Sequence, residues 1–240
     1  MKLTGQRILI TGGSSGIGLA IAKTLVRVEG ANVTIVSRSA DKLRAARAAL
    51  DNKVDARELD VTDESAIVKF FSDFGAFDHL VTAASAAIMG PAVGMPTAAF
   101  RTLVDSKLYG QFLVARHAAA HMPPHGSITF FSGTVTQKPM LGATAYAAVG
   151  AAAEAMARIM ALELAPLRVN TVVPGVIDTP CWDSLFDANT KSTVFSQIAS
   201  SLPVRRLGTP DDIAEAVLFL IRNGFVDGTS LVVDGGHRLI

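Results

Sequence analysis

The first group of residues with chemical potential is a glycine-rich turn at Thr11–Gly18, which reads TGGSSGIG. The turn follows a short β-branched run and leads into an amphipathic segment, so its glycines stand where a strand passes into a helix. Free N–H groups at the start of that helix point at an anion. A triphosphate-binding loop would place Lys and Ser or Thr after the last glycine, but Leu19 and Ala20 follow Gly18. A dinucleotide pyrophosphate fits better, and the predicted contacts are Gly12, Ser14, Ser15, Gly16, Ile17 and Gly18.

The second group, Ser37, Arg38 and Ser39, comes about 20 residues after the glycine turn, at the end of the second predicted strand. An Asp or Glu at this point would accept a hydrogen bond from the ribose 2′-hydroxyl of NAD. The Arg38 guanidinium instead suits a 2′-phosphate, and the serine hydroxyls add donors. These residues predict NADP(H) in preference to NAD(H). The alternative is that Arg38 is a solvated loop cation that stacks on the adenine.

The hydrophobic pattern predicts the scaffold that must position these groups. Short β-branched runs alternate with longer runs of helical period, the pattern of a parallel sheet with helices on both faces. The predicted fold class is α/β, a single-domain doubly wound Rossmann fold with a seven-stranded parallel sheet over residues 1–240. The predicted strands are Arg7–Thr11, Asn32–Ser37, Asp55–Leu59, Leu80–Thr82, Ser127–Phe131, Arg168–Val173 and Ser230–Val233. The predicted helices are Ile17–Val28, Asp41–Leu50, Glu64–Phe74, Thr97–His121, Thr144–Leu164 and Asp211–Ile221.

Polar residues at the predicted helix starts serve as N-caps: Asp41, Thr62 or Asp63, and Thr209, with Pro210 at a first helical position. Residues 178–207 are less regular and are predicted to form a substrate loop or lid rather than a second domain. Apolar residues in this part of the chain and elsewhere indicate a hydrophobic substrate pocket: Met89, Met95, Met140, Leu141, Trp182, Leu185 and Phe186.

Composition excludes several classes of function. The 240 residues carry a formal net charge of +1, which supplies no basic face for nucleic acid. The single cysteine, Cys181, excludes a disulfide framework and a zinc site built on two or more thiolates. The mean hydropathy is +0.38, yet no apolar run approaches the roughly 18 to 20 residues that span a bilayer. The N-terminal lead Met1–Arg7 shows no hydrophobic signal segment, so a cytoplasmic location is expected.

Motifs along the whole chain resemble those of the short-chain dehydrogenase/reductase family. They are TGxxxGxG at Thr11–Gly18, Leu59-Asp60-Val61, Tyr146 in a long helix, Arg168-Val169-Asn170 before Pro174–Thr179, and Val233–Gly236. The resemblance implies that Asp60 and Val61 hold the adenine. It implies further cofactor contacts by Ala83, Ala84, Pro174, Gly175, Val176, Ile177 and Thr179. It also implies a homo-oligomer, a tetramer or dimer, with the helices of Tyr146 and Lys107 at a subunit interface.

The catalytic positions depart from the family pattern at four places. Residues 82–85 read Thr-Ala-Ala-Ser where the family has Asn-Asn-Ala-Gly, and residues 107–110 read Lys-Leu-Tyr-Gly where it has Asn-Leu-x-Gly. The catalytic Ser position, thirteen residues before the Tyr, falls on Gly133. The family's Tyr-x-x-x-Lys becomes Tyr146 followed by Gly150. Three of the four usual catalytic side chains are therefore absent from their positions.

Tyr146 is the predicted proton donor. Without the family's lysine, its phenol is expected to titrate near the ordinary pKa of about 10. A protonated phenol is the form that reduces a ketone, whereas alcohol oxidation needs phenolate, which is scarce by about three pH units near pH 7. The missing lysine and NADP(H) binding therefore both favour reduction. The alternative is that Tyr146 is a packing residue with a satisfied hydroxyl.

Two more side chains complete the predicted catalytic group. Ser132 ends the fifth strand at the carboxyl edge of the sheet and is the predicted hydroxyl that polarises the carbonyl, with Thr134 as the alternative. Lys107 is hypothesised to replace the absent lysine by reaching into the space left by Gly150. The alternative is an exposed lysine and an unrelated glycine.

The leading prediction is an NADPH-dependent reductase of a small, apolar carbonyl compound. The rival is an NADP(H)-binding protein that has lost catalysis and acts as a sensor or interaction subunit. His117, His121 and His125 resemble metal ligands only superficially, since no Asp, Glu or Cys stands at a supporting spacing. Cys181 has no identifiable base partner and is expected to line the substrate pocket or anchor the lid.

Overall fold

The computed structural model describes residues 3–85 and 88–240. Met1 and Lys2, the start of the N-terminal lead, lie outside the described residues. The fold is a seven-stranded parallel sheet in the order β3-β2-β1-β4-β5-β6-β7. The strands are β1 Arg7–Thr11, β2 Asn32–Ser37, β3 Asp55–Glu58, β4 His79–Thr82, β5 Ser127–Phe131, β6 Arg168–Pro174 and β7 Ser230–Val233. All seven predicted strands are confirmed, with ends that differ by at most one residue.

Helices cover both faces of the sheet, as the alternation of runs predicted. The α-helices are α1 Gly16–Arg27, α2 Ala40–Ala49, α3 Glu64–Phe74, α4 Thr97–Leu103, α5 Gly110–Ala118, α6 Thr144–Glu163, α7 Ala188–Ser201 and α8 Pro210–Arg222. Helices α1, α2 and α8 share one apolar cluster with Ile8 and Ile10 of β1. Helices α3, α5 and α6 share the other cluster with Leu9, which points to the opposite face of the same strand. Strand β1 is thus buried on both faces.

The helix starts agree with the predicted caps except at α2. Asp63 and Thr209 cap α3 and α8, and Pro210 stands at the first position of α8. At α2 the cap is Ser39, whose hydroxyl accepts a hydrogen bond from the Lys42 backbone N–H. The prediction of Asp41 as the cap is therefore wrong, because Asp41 already lies in the first helical turn.

The predicted helix Thr97–His121 is divided in the structure. Helix α4 passes into a π-helix at Val104–Tyr109, which is followed by α5 and a 3₁₀ turn at Ala119–His121. A π-helix bonds i to i+5 and inserts a wider turn into an otherwise continuous helical rod. Lys107 lies within this wider turn.

Residues 178–207 are more regular than predicted. They contain the 3₁₀ turn Pro180–Ser184 and the 14-residue helix α7. The sequence of α7 is rich in Ser, Thr and Asn, which have weak helix propensity, and Phe195 is its buried residue. The helix was missed because its apolar face is short, with Phe195 and Ile198 at helical spacing among mostly polar residues.

Helix α6 is the one helix, within residues 3–85 and 88–240, that is long and apolar enough to cross a membrane by length and composition. It packs on β5 and β6, and its residues Ala157, Met160 and Ala161 share an apolar cluster with residues of these strands. The core helix of a folded domain has the same composition. Ile159 and Leu162 are exposed on this helix. The predicted subunit interface would cover them and stays a prediction.

Candidate active site

The carboxyl ends of β1, β2, β4, β5 and β6 open into one cleft of about 720 Å³. This is the edge of a doubly wound sheet at which ligands bind. The predicted cofactor residues all line the cleft: Gly12, Ser14, Ser15, Gly16, Ile17, Gly18, Ser37, Arg38, Ser39, Asp60, Val61, Ala83, Ala84, Pro174, Gly175, Val176, Ile177 and Thr179. Tyr146, Ser132, Lys107 and Thr134 line it as well. The fold therefore brings together residues that are far apart in the chain, and their individual roles remain predictions.

The glycine turn is shaped to let a ligand approach its backbone. Gly12 has φ +70°, and a Cβ there would lie 2.7 Å from the Ala84 backbone. A Cβ on Gly18 would lie 2.3 Å from the Gly12 carbonyl oxygen. Ser15 precedes α1 without a side-chain cap on its N–H groups. An extended diphosphate with two flanking rings fits this surface, because bare backbone and helix-end amides face the cleft.

Two cations stand where the second predicted group lies. Arg38 and Lys42 both line the cleft, and within residues 3–85 and 88–240 neither forms an ion pair. The Ser37 hydroxyl accepts a hydrogen bond of 3.4 Å from the Ser39 N–H. Lys42 was missed in the sequence, although its position one turn into α2 places it beside Arg38. Together the two cations could neutralise a phosphate dianion.

Tyr146 lies partly buried at the inner end of the cleft. Burial raises the pKa of its phenol above the ordinary value, an effect opposed by hydrogen bonds from the Ser85 side chain and the Ile88 backbone. The phenol is therefore protonated through neutral pH. The role of Ser85 was missed in the sequence, where Ser85 was noted only as a departure from the Asn-Asn-Ala-Gly segment that the resemblance implies.

Lys107 is buried, with 5% of its surface exposed, so the alternative of an exposed lysine is wrong. Its Nζ donates to the Ser132 carbonyl oxygen at 3.2 Å and lies 5.7 Å from the centre of the Tyr146 ring. Burial lowers the pKa of Lys107 to about 8. The charge is therefore present near pH 7 and lies beside the phenol.

The space at Gly150 is not occupied in the way the sequence suggested. A Cβ at Gly150 would lie 2.8 Å from both Ser132 Oγ and Thr136 Cγ2. The side chains of Ser132 and Thr136, rather than Lys107, fill this space. The part of the hypothesis that placed the Lys107 ammonium in it is corrected.

The two candidate polarising hydroxyls have different environments. Ser132 Oγ donates to Glu154 Oε1 at 2.6 Å. Thr136 Oγ1 donates to the same oxygen at 2.8 Å. Thr134 is buried, with 4% of its surface exposed. Its hydroxyl makes no hydrogen bond to any residue that the structure describes. Glu154 was missed because no spacing motif links it to the fifth strand.

The substrate side of the cleft is bounded by the turn after β6. Met89, Met140, Trp182 and Leu185 line the cleft, whereas Met95, Leu141 and Phe186 of the predicted pocket do not. The Trp182 indole donates to the Ile177 carbonyl oxygen at 2.8 Å. Its ring packs against Phe186 and, edge-on, against Phe195 of α7. Helix α7 is thus attached to the cleft wall through an aromatic cluster.

Three side chains that were set aside in the sequence have their own partners. His117 Nε2 lies 2.8 Å from Glu64 Oε1, and His121 stacks on Phe71. Cys181 lines the cleft, with its sulfur 2.9 Å from the Thr179 hydroxyl. These contacts account for the two histidines by packing and hydrogen bonding, and they place Cys181 at the pocket as expected.

The fold and cleft together define a class: an oxidoreductase with a nicotinamide-dinucleotide site at the carboxyl edge of a doubly wound sheet. A family model described as enoyl-(acyl carrier protein) reductase matches residues 12–238. The chain belongs to the short-chain dehydrogenase/reductase family.

Relatives and solved structures cover nearly the whole chain. An uncharacterized oxidoreductase of Schizosaccharomyces pombe is 34% identical over 98% of this chain and 92% of its own. A 3-oxoacyl-[acyl-carrier-protein] reductase of Thermotoga maritima is 33% identical over 98% of this chain and 99% of its own. A small-chain dehydrogenase solved in complex with NADPH is 33% identical, covers 98% and 100% of the two chains, and has a TM-score of 0.85. The protein is an oxidoreductase of this family that binds a nicotinamide dinucleotide.

Proposed function

We propose that the protein reduces a small, apolar ketone or aldehyde with NADPH, and that Tyr146 donates the proton. The observation that carries this proposal is the placement of the Tyr146 phenol in the cofactor cleft, with Nζ of the buried Lys107 5.7 Å from the centre of its ring. When bound, the reduced nicotinamide supplies the hydride. The protein then has to polarise the carbonyl oxygen and protonate the alkoxide that forms.

The protonated state of the phenol is the one that carbonyl reduction requires. Reduction needs a proton on Tyr146, and burial keeps it there because it raises the pKa of the group. Lys107 stabilises negative charge that develops at the phenol and at the substrate oxygen during the transfer. Ser85 holds the phenol through its hydrogen bond.

The polarising hydroxyl is assigned to Thr134 in place of Ser132. The Ser132 proton is directed to Glu154, so it is not available to a carbonyl in the cleft. Thr134 is buried at the cleft and its hydroxyl is uncommitted within the described residues. A bound carbonyl oxygen could accept a hydrogen bond from that hydroxyl, because Thr134 lines the cleft.

Preference for NADPH over NADH is supported by Arg38 and Lys42, which line the cleft together with Ser37. No carboxylate stands at the Arg38 position to accept from a ribose 2′-hydroxyl. The related dehydrogenase that was solved with NADPH supports the same assignment.

The test is turnover of NADPH with a panel of ketones and aldehydes, measured beside a binding titration. Wild-type protein is expected to oxidise NADPH with at least one carbonyl. Tyr146→Phe is expected to lower kcat by about 100-fold or more, since general acid catalysis contributes that much, while the Kd for NADPH stays unchanged.

The matched control is Tyr109→Phe, because Tyr109 is the other tyrosine of the chain and is exposed. This variant is expected to keep wild-type turnover. Tight NADPH binding without turnover on any carbonyl would overturn the proposed activity. Wild-type turnover in Tyr146→Phe would overturn the role of the phenol.

A further inference from the structure

Glu154 is a buried carboxyl group within hydrogen-bond distance of two hydroxyls on one loop. It is 8% exposed, and its Oε1 accepts from Ser132 Oγ at 2.6 Å and from Thr136 Oγ1 at 2.8 Å. Within residues 3–85 and 88–240, no Lys or Arg forms an ion pair with it. Buried carboxyl groups need hydrogen bonds when no cation neutralises them. The two hydroxyls therefore satisfy Glu154, and Glu154 in turn holds them.

The spacing along α6 explains how this contact reaches the cleft. Tyr146, Gly150 and Glu154 are four residues apart and share one face of the helix. The first carries the proposed proton donor, and the last carries the carboxyl group. Between them Gly150 presents no side chain, and a Cβ there would lie 2.8 Å from Ser132 Oγ and from Thr136 Cγ2. The glycine thus provides the room that lets the two hydroxyls reach Glu154.

Thr134 lies between the two held residues. Ser132 directly follows the last residue of β5, and Thr136 is the last residue of the 3₁₀ turn Thr134–Thr136. Both ends of this segment of five residues, 132–136, are bonded to one carboxyl oxygen. The Thr134 side chain therefore has little freedom to leave the cleft, although its own hydroxyl is not bonded to a described residue.

We propose that Glu154 is a positioning residue that acts through Ser132 and Thr136 to hold the Thr134 hydroxyl in place for carbonyl polarisation. This inference rests on the proposed function. It also gives Gly150 a structural role. The absence of a side chain at Gly150 lets Ser132 and Thr136 reach Glu154, and their hydrogen bonds to Glu154 hold the loop of residues 132–136 in place.

The test compares Glu154→Met, which accepts no hydrogen bond of comparable strength, with Glu154→Gln, whose amide oxygen accepts as the carboxyl does. A milder variant, Thr136→Val, removes one of the two bonds to Glu154 at nearly constant volume, together with the 3.1 Å contact of the same hydroxyl with the Gly133 carbonyl oxygen. Hydrogen exchange of residues 132–136 and steady-state kinetics are measured for each variant, together with the Kd for NADPH. Glu163→Met at the exposed end of α6 is the matched control.

Glu154→Met and Thr136→Val are expected to speed exchange in residues 132–136 and to lower kcat, by about tenfold or more for Glu154→Met, since small displacements of a reacting group cost at least that much. The Kd for NADPH stays within twofold. Glu154→Gln is expected to recover most of both losses. Thr134→Val combined with Glu154→Met is expected to be no slower than Thr134→Val alone, because the two residues act on one step.

Different results would contradict the bracing of residues 132–136, its effect on catalysis and the role of hydrogen bonding. Unchanged exchange in both Glu154→Met and Thr136→Val would overturn the bracing, whatever the turnover. Faster exchange at unchanged kcat would overturn the effect on catalysis. Equal losses in Glu154→Gln and Glu154→Met would show that charge or a proton, and not hydrogen bonding, is what Glu154 provides. A wild-type protein that reduces no carbonyl would overturn the proposed function, and the exchange measurement would still decide the bracing.

Discussion

The nucleotide end and the catalytic end of the cleft lie on the same sheet edge but differ in how far their residues depart from the family pattern expected from the sequence. At the nucleotide end, the turn Thr11–Gly18 and the segment Asp60–Val61 are the residues that this resemblance predicts. At the catalytic end, the resemblance predicts other residues at the positions of Lys107, Gly133 and Gly150. The nucleotide end works through backbone, so few substitutions are compatible with it. The catalytic end works through side chains, whose duties other positions can take over.

At the catalytic end, a cation and a hydroxyl stand beside the Tyr146 phenol, and both come from other positions than the family resemblance implies. A cation is retained, but it comes from Lys107 on the neighbouring helix instead of from α6. A hydroxyl beside the phenol is supplied by Ser85. The difference between the two ends teaches that a missing motif residue need not remove its charge from the site, because Lys107 places a buried ammonium 5.7 Å from the centre of the Tyr146 ring.

The largest expected effect comes from breaking the catalytic end at Lys107. Lys107→Met should lower kcat for carbonyl reduction by about 100-fold or more at pH 7, because loss of one preorganised electrostatic group costs that much. NADPH binding should change little. Stopped-flow measurement of NADPH oxidation, with a parallel binding titration, checks both.

The pH profile separates the charge of Lys107 from its volume. Its pKa is lowered to about 8, so the ammonium is present below that pH and is lost as pH rises through it. Reduction by the wild type should therefore slow above about pH 8, and the residual rate of Lys107→Met should show no such step. Tyr146 does not cause the step, because its pKa is raised. Lys69→Met, at an exposed position of α3, is the control. A step at pH 8 in Lys107→Met would exclude the assignment.

The next effect comes from breaking the nucleotide end at Gly12. A Cβ there would meet the Ala84 backbone at 2.7 Å, and the residue has φ +70°. Gly12→Ala should weaken NADPH binding by about 100-fold, since both overpacking and backbone strain oppose it. Fluorescence titration measures the Kd.

The control for Gly12→Ala is Gly224→Ala, where a Cβ meets nothing within 4 Å. That variant should bind NADPH as the wild type does. If Gly12→Ala also bound normally, the nucleotide end would be no more constrained than the catalytic end, and the contrast between the two would fail.

The smallest expected effect concerns the nucleotide end, where a substitution at Arg38 distinguishes NADPH binding from NADH binding. Arg38→Ala should weaken NADPH binding by about tenfold, as expected for loss of a charge-assisted contact, and leave NADH binding unchanged. Arg44→Ala on the following helix, α2, where Arg44 pairs with Asp41 at the surface, should affect neither. Equal losses for NADPH and NADH would mean that Arg38 contacts the adenine and not a 2′-phosphate.

Much of the fold was predictable because it depends on local patterns. Strands β1, β2, β4, β5 and β6 are short and largely buried runs, whereas β3 at the sheet edge is mostly exposed, and the glycine turn joins β1 to its helix. Helix α3 has the predicted bounds, Glu64–Phe74, because a strong apolar face and the Asp63 cap mark its start.

The rest of the site depends on contacts between distant segments. The bond from Ser132 to Glu154 joins residues 22 apart, and no periodicity in either segment indicates it. The contact of Ser85 with Tyr146 has the same origin. Lys42 was within reach of sequence reasoning, since it lies one turn after Ser39, but a lysine on a helix is usually solvated.

The π-helix at Val104–Tyr109 makes the place of Lys107 depend on chain length as well as on residue identity. An α-helix turns by about 100° per residue, so removal of one residue that restored α-helical winding would rotate the lysine away from the Tyr146 ring by roughly that angle. Insertions and deletions, not substitutions alone, are thus a route by which a chain of this architecture gains or loses its buried cation. A sequence alignment that allows no gap inside this helix would pair residues of a chain that has the π-helix with residues of a chain that lacks it, although the paired residues face different sides of the cleft.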